Sequence, residues 1–205
     1  MIFCSQLSFA QKNDKTLTYG SLTDSVYTNS FFGLKVNIPK GWAVQSSEYN
    51  EKLKQQGKES FHAEGNKEKA IDQSMNKSAV LLNTSRHEMG SPVDYNANFL
   101  ALIENIELSP GIKKGSDYLF HAKKLMLEHS KLAYKFEPEF KPVTIGGTEF
   151  YLMDTKIENG NAIISQKYYA TVINNYALVF VTTNDTRDAA PEFEKLLTSE
   201  IKFSK

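Results

Sequence analysis

The sequence predicts a single α+β domain built on a central, mainly antiparallel sheet sandwiched between helical layers. Three observations lead there. Thr148–Ile157, Ala162–Ile173 and Tyr176–Thr183 are rich in the β-branched, aromatic and aliphatic residues that favour strands. They are joined only by Glu158-Asn159-Gly160-Asn161 and by Asn174-Asn175. Such short links make neighbours antiparallel, because a parallel return needs a crossover of about a dozen residues or more. Both parities of these runs are also apolar: Phe150 and Leu152 against Tyr151, Met153 and Ile157, and Leu178 and Phe180 against Ala177, Val179 and Val181. Successive strand residues face opposite sides, so the meander needs cover on both faces.

At 205 residues the chain suits one domain and buries roughly 70% of the surface of its unfolded form. Its 40% hydrophobic and 23% charged residues are ordinary for a globular protein. Lys plus Arg balances Asp plus Glu at 24 each, so the basic surplus typical of nucleic-acid binders and the basic face of anionic-membrane binders are not seen globally. No apolar run approaches the roughly 18 residues of a spanning helix, so no transmembrane segment is expected.

Residues 1–10 carry no charge, and Ser8-Phe9-Ala10 resembles a small-x-small cleavage site before Gln11. A basic n-region and a longer apolar core are missing. The expectation is the tail of an export signal, with a periplasmic or extracellular protein downstream. Cys4, the only cysteine, lies inside it, so the mature chain would have no disulfide, thiolate metal site or cysteine nucleophile. Phe3 before it argues against lipidation.

Residues 11–24 are polar and read as a loose lead-in, so the domain is expected over 25–205. A hairpin follows from Ser25-Val26-Tyr27, turning near Asn29-Ser30, to Leu34, Val36 and Ile38. Pro39-Lys40-Gly41 is a turn, after which Trp42-Ala43-Val44 is extended. Ser47 is placed to cap a helix bearing Glu48, Tyr49, Glu51 and Leu53. Gly57–Asn66 reads as a loop, about Glu68–Met75 as a second helix, and Ala79–Asn83 as a short buried strand. Ser91-Pro92-Val93-Asp94 signals a helix start, with Phe99, Leu102, Ile103 and Ile106 at helical spacing, although the same short segment is compatible with a strand. Pro110-Gly111 ends it. Ser116 caps the clearest helix, whose face carries Tyr118, Leu119, Ala122, Leu125, Met126 and His129. Leu132, Tyr134 and Phe136 alternate like a strand, and Val143-Thr144-Ile145 reaches the meander through Gly146-Gly147. Asp188 or Thr186 starts a last helix with Phe193, Leu196 and Leu197 before Ile201-Lys202-Phe203.

The search for chemistry is mostly negative. His87-Glu88 begins like a metalloprotease motif, but Ser91 stands where the second histidine belongs. His121 and His129 are about 12 Å apart along a helix, too far to share a metal. His62 lies in a polar stretch with nothing around it to define a site. No Gly-x-Ser-x-Gly elbow occurs. Glu137 and Glu139 flank Pro138 in what reads as a solvated loop rather than an acid–base pair. Tyr168 and Tyr169 point to opposite sheet faces and cannot form one stacking platform. One ligand candidate emerges: Gly111-Ile112-Lys113-Lys114-Gly115-Ser116 feeds a helix N-terminus, where free N–H groups with Lys113, Lys114 and Ser116 suit an anion. No lysine follows Gly115, so it is not a phosphate-binding P-loop.

Tyr27-Thr28-Asn29, Phe32-Gly33-Leu34 and Ile38-Pro39-Lys40-Gly41-Trp42 resemble the opening of PsbP/Mog1-like proteins. Gln166-Lys167-Tyr168-Tyr169, Asn174-Asn175-Tyr176-Ala177 and Ile201-Lys202-Phe203 follow the order of the C-terminal half of that superfamily. Asp117-Tyr118-Leu119 resembles its small bacterial secreted members. The likeness spans most of residues 25–203, but the matching residues are turn formers and core groups, each with a packing explanation. It implies the same sheet between helical layers and carries no activity, because PsbP supports photosystem II, Mog1 binds a nuclear-transport GTPase, and neither role has a motif here. The resulting expectation is a non-catalytic binding or accessory module of the bacterial envelope with a protein partner and no cofactor or metal. A small-molecule or anion binder is the alternative, and a hydrolase with an unrecognised site the third.

Overall fold

The computed structural model describes residues 16–59, 76–160, 162–188 and 190–204. The export-signal stretch 1–10 with Cys4, His62, most of the expected 57–66 loop and the expected Glu68–Met75 helix lie outside them. In chain order the first strands are β1 (Ser21–Thr23), β2 (Val26–Asn29), β3 (Leu34–Asn37) and β4 (Ala43–Val44), followed by helix α1 (Ser47–Glu59). Strands β5 (Ser78–Ser85) and β6 (Asn98–Asn105) precede helix α2 (Gly115–His129). Then come β7 (Tyr134–Phe136), β8 (Lys141–Ile145), β9 (Thr148–Asn159), β10 (Ala162–Ile173) and β11 (Tyr176–Asp185). Helix α3 (Pro191–Lys195), a π-helical turn over Leu196–Glu200 and β12 (Ile201–Phe203) complete the order.

The strands form two sheets, and every pairing is antiparallel. The large one has eight strands in the order β4-β5-β6-β11-β10-β9-β7, with β8 also paired to β9. The small one is β1-β2-β3-β12. The C-terminal meander is as expected. Asn174 and Asn175 take φ of 52° and 63°, a left-handed pair that Asn tolerates and that matches the twist of a two-residue hairpin. Val172 therefore faces Ala177, and the ladder runs unbroken to Ile164 opposite Asp185.

The two parities separate into two cores. Phe99, Phe150, Phe180, Leu178 and Tyr169 share one cluster with Tyr27, Leu34, Val36, Phe193, Leu196 and Ile201. Within it Phe150 stacks on Phe180 at 5.1 Å, and Phe99 lies 5.5 Å from Phe180. Opposite, Met153, Ala170, Ala177, Val179 and Val181 pack with Leu119, Tyr118 and Met126 of α2. Small residues on this face let the helix approach closely. A Cβ added at Gly115 would stand 1.8 Å from the carbonyl oxygen of Ala170, so only glycine fits at this contact.

Several expectations are corrected. Only one cover of the large sheet is a long helix; the other is the small sheet with α3, because Leu34, Val36 and Ile201 form an apolar face that must itself be buried. The lead-in is not loose throughout, since Asp24 and Ser25 make a left-handed turn that folds β1 onto β2. All three side chains of β1 are exposed, so hydrophobic patterning gave no sign of it. No helix starts at Ser91: β6 occupies Asn98–Asn105, alternating buried Phe99, Ala101 and Ile103 with half-buried Leu100 and Leu102. Pairing with β5 and β11 on either side selects the period of two over the helical reading. The cap of α1 is Ser46 rather than Ser47, its Oγ accepting the Tyr49 N–H at 3.1 Å, and the helix continues through Gly57. The last helix begins at Pro191 and not at Thr186 or Asp188, proline suiting the first helical position.

Gly115→Ala is expected to cost about 3 kcal/mol, because backbone rather than a flexible side chain opposes the new methyl. Urea unfolding measures it, and a loss well under about 1 kcal/mol would mean that α2 does not rest on β10 at this point.

Candidate functional site

The helix α1 contributes no residue to either core cluster among the described residues. It crosses the outer part of the sheet, on the face that α2 also covers, and leaves a cleft of about 240 Å³ beneath it. The floor is formed by Asn83 and Ser85 of β5 and Asn98 and Leu100 of β6. Tyr49 and Leu53 of α1 form the roof, and Gln45, Met89, Tyr95 and Asn96 close the rim. Seven of these ten residues are polar and none is an acid, lysine, arginine or histidine.

Hydrogen bonds hold the walls. The Gln45 amide donates to Ser85 Oγ at 2.7 Å, and that hydroxyl donates to the His87 carbonyl at 2.7 Å. Asn83 Nδ2 donates to Asn50 Oδ1 at 2.8 Å, tying the floor to α1. The Asn96 side chain reads both main-chain groups of His87, accepting from its N–H at 3.0 Å and donating to its carbonyl at 2.7 Å. That pair fixes the loop between β5 and β6 and sets the rim. Burial, then the charge of Asp185, then Tyr49 push the Tyr95 phenol up to about 12. Tyr95 therefore remains a neutral hydrogen-bonding group across the physiological range.

Behind Tyr95 lies an ionic cluster that fastens the chain end to the sheet. Arg86 at the end of β5 binds Asp188 and donates to Glu192 of α3 at 2.8 Å. Asp185, 4% exposed, accepts from the Arg187 main chain at 2.9 Å and from its Nε at 3.0 Å. Those bonds pull Asp185 down to about 2. Asn184 donates to the carbonyls of Asp185 and Asp188, which fixes the turn leading to α3.

The anion candidate is already internally satisfied. Asp117 Oδ2 accepts the N–H of Lys113 at 2.9 Å and of Lys114 at 3.1 Å, and these bonds lower the Asp117 pKa. Lys114 occupies the N-cap position instead of Ser116, and its ammonium lies 5.5 Å from the centre of the Tyr151 ring. The chain's own carboxylate thus takes the amides that an external anion would need. His121 is exposed beside Phe120, whereas His129 is mostly covered and lies 3.5 Å from Glu128, so the two remain separate. Glu137 and Glu139 are exposed. Tyr168 and Tyr169 divide between the two cores. Among the described residues no group of three or more potential metal ligands converges, and no helix is long and apolar enough to cross a membrane.

Sequence reasoning missed the cleft because its lining comes from three separate stretches, 45–53, 83–89 and 95–100, and contains no reactive pattern. One signal was present: Asn83 and Ser85 sit at the end of an apolar strand, where buried amides and hydroxyls need partners.

Asp185→Asn tests the ionic cluster. Its folded pKa of about 2 lies below the usual value of about 3.9, so its contribution to stability is present above about pH 4 and lost as pH falls towards 2. The variant should be less stable than the parent at neutral pH and converge with it near pH 2, as read from urea midpoints. Parallel curves across that window would show that Asp185 does not carry acid sensitivity.

No family model matches the chain, and no curated protein does. Among solved structures it is similar to a Pseudomonas aeruginosa protein of unknown function, PA94, at 15% identity and a TM-score of 0.42. That similarity covers 55% of this chain and 76% of the other, and it assigns neither a fold family nor a role.

Proposed function

We propose that this protein is a non-catalytic binding module of the bacterial envelope that holds a small uncharged ligand in the cleft beneath α1. The observation that carries this reading is the lining: carboxamides, hydroxyls and two phenols, with no charged side chain. Such a surface offers directional hydrogen bonds and apolar contact but lacks a proton-transfer group titrating near neutrality. Export is supported by the uncharged stretch Met1–Ala10 with its Ser8-Phe9-Ala10 ending. A PsbP/Mog1-like fold is supported by the residue order in the first hairpin and the C-terminal meander, together with an antiparallel sheet that has a long helix on one face.

A second reading, docking of a protein partner, rests on a different observation. Phe120 and Leu127, seven residues apart on α2, are 59% and 61% exposed and lie on its outward side. The two readings part in one experiment. Uncharged low-molecular-weight compounds at millimolar concentration are expected to shift the side-chain amide resonances of Gln45, Asn83 and Asn98 in ¹⁵N NMR spectra. A silent cleft, combined with crosslinking to an envelope protein that Phe120→Asp and Leu127→Asp abolish, would replace ligand binding with partner docking.

A further inference from the structure

Resting on the cleft as a ligand site, we propose that its ligand is a neutral sugar of about one ring, wedged between α1 and the β5–β6 floor. The first reason is which polar atoms are left unused. Gln45 and Asn83 each spend one N–H, on Ser85 and on Asn50, leaving a second N–H donor and the carbonyl oxygen of each amide. Among the described residues, the Asn98 carboxamide and the Tyr49 and Tyr95 hydroxyls make no protein hydrogen bond. The cleft therefore presents donors and acceptors together. Sugar hydroxyls match this because each donates and accepts at once, and a side-chain amide pairs with two neighbouring hydroxyls.

Other ligand classes fit less well. A phosphate or carboxylate calls for several donors and a cation, and no cation lines the cleft. An ammonium group needs a carboxylate or an electron-rich acceptor cage, and no carboxylate lines it either. A hydrocarbon would leave the amides without partners at a cost for each. The aromatic and aliphatic groups, Tyr49, Leu53 and Leu100, provide apolar contact for the C–H face of a ring.

Size gives the second reason. At about 30 Å³ per water, a 240 Å³ cleft replaces about eight waters, room for one sugar ring and below the usual range for drug-sized ligands. Position gives the third. Since α1 adds nothing to either core, a bound ring would supply the packing layer that is missing between helix and sheet. Ligand binding and the order of α1 are then one event.

The test is an NMR titration of the full chain with neutral aldohexoses, pentoses and N-acetylhexosamines. Glucuronate serves as a charged sugar, and N-methylacetamide and cyclohexanol as neutral non-sugars. At least one neutral sugar should shift the cleft amides with a dissociation constant on the order of 1 mM and slow hydrogen exchange in Ser47–Glu59. Glucuronate should bind at least about tenfold more weakly, and Asn98→Ala should lose about tenfold in affinity with its spectrum otherwise intact. Tyr49→Phe, which keeps the ring and removes only the hydroxyl, separates lost hydrogen bonding from lost packing and should also weaken binding. Cleft shifts caused only by the non-sugar probes would overturn the sugar assignment while leaving the cleft a ligand site. A cleft silent to every probe would overturn both.

Discussion

Phe150 stacked on Phe180 on one side of the large sheet, and Ala170, Ala177 and Val179 packed beneath α2 on the other, express the constraint on which the fold depends. A meander that is apolar at both parities has no face that water can occupy without loss, at roughly 25 cal/mol for each Å² of apolar surface left exposed. Two different covers meet the requirement. On the small-residue face a helix lies against the strands, close enough that only glycine fits at Gly115. On the aromatic face the interlocking rings stand taller and are capped by a second sheet and a short helix.

The same constraint explains where the cleft lies. Cover is tightest along β10 and β11, where both parities are apolar. Towards β5 the parity facing α1 becomes Asn83 and Ser85, and towards the start of β6 it becomes Asn98. With amides on the floor, a helix above gains little from dry packing. It is held instead at its end by Asn50 on Asn83. The result is a polar gap on the sheet, beside the ion pairs of Arg86 with Asp188 and Glu192 and of Arg187 with Asp185.

Much of the fold was legible because its signals are local. Asn174-Asn175 dictates a tight hairpin, and the alternation of Phe150, Leu152, Leu178 and Phe180 dictates which side each residue faces. What escaped is non-local. The segment from Phe99 to Ile106 fits helix and strand spacing equally, and only its partners on both sides decide the matter. The three exposed residues of β1 carry no hydrophobic pattern, and the pairing of Ile201–Phe203 with Leu34–Val36 joins residues far apart in sequence. The cleft was least visible. Its amides are ordinary residues until α1 and the 86–97 loop bring them together, whereas Lys113 and Lys114 looked like a site from sequence and are answered by Asp117.

The pairing of β12 with β3 also has a bearing on the order in which the molecule is made. Val36 has Ile201 as its neighbour in the small sheet, and the cover of the aromatic face rests on that junction. A chain synthesised from its N-terminus makes Leu34 and Val36 early, yet this edge of β3 has no partner until Ile201–Phe203 emerge. Loop closure over so long a separation adds an entropic barrier and slows folding relative to a fold built from local contacts. The cover over the aromatic core therefore cannot be completed before residues 201–203 have been made, and that side of the sheet stays open while everything ahead of them is synthesised.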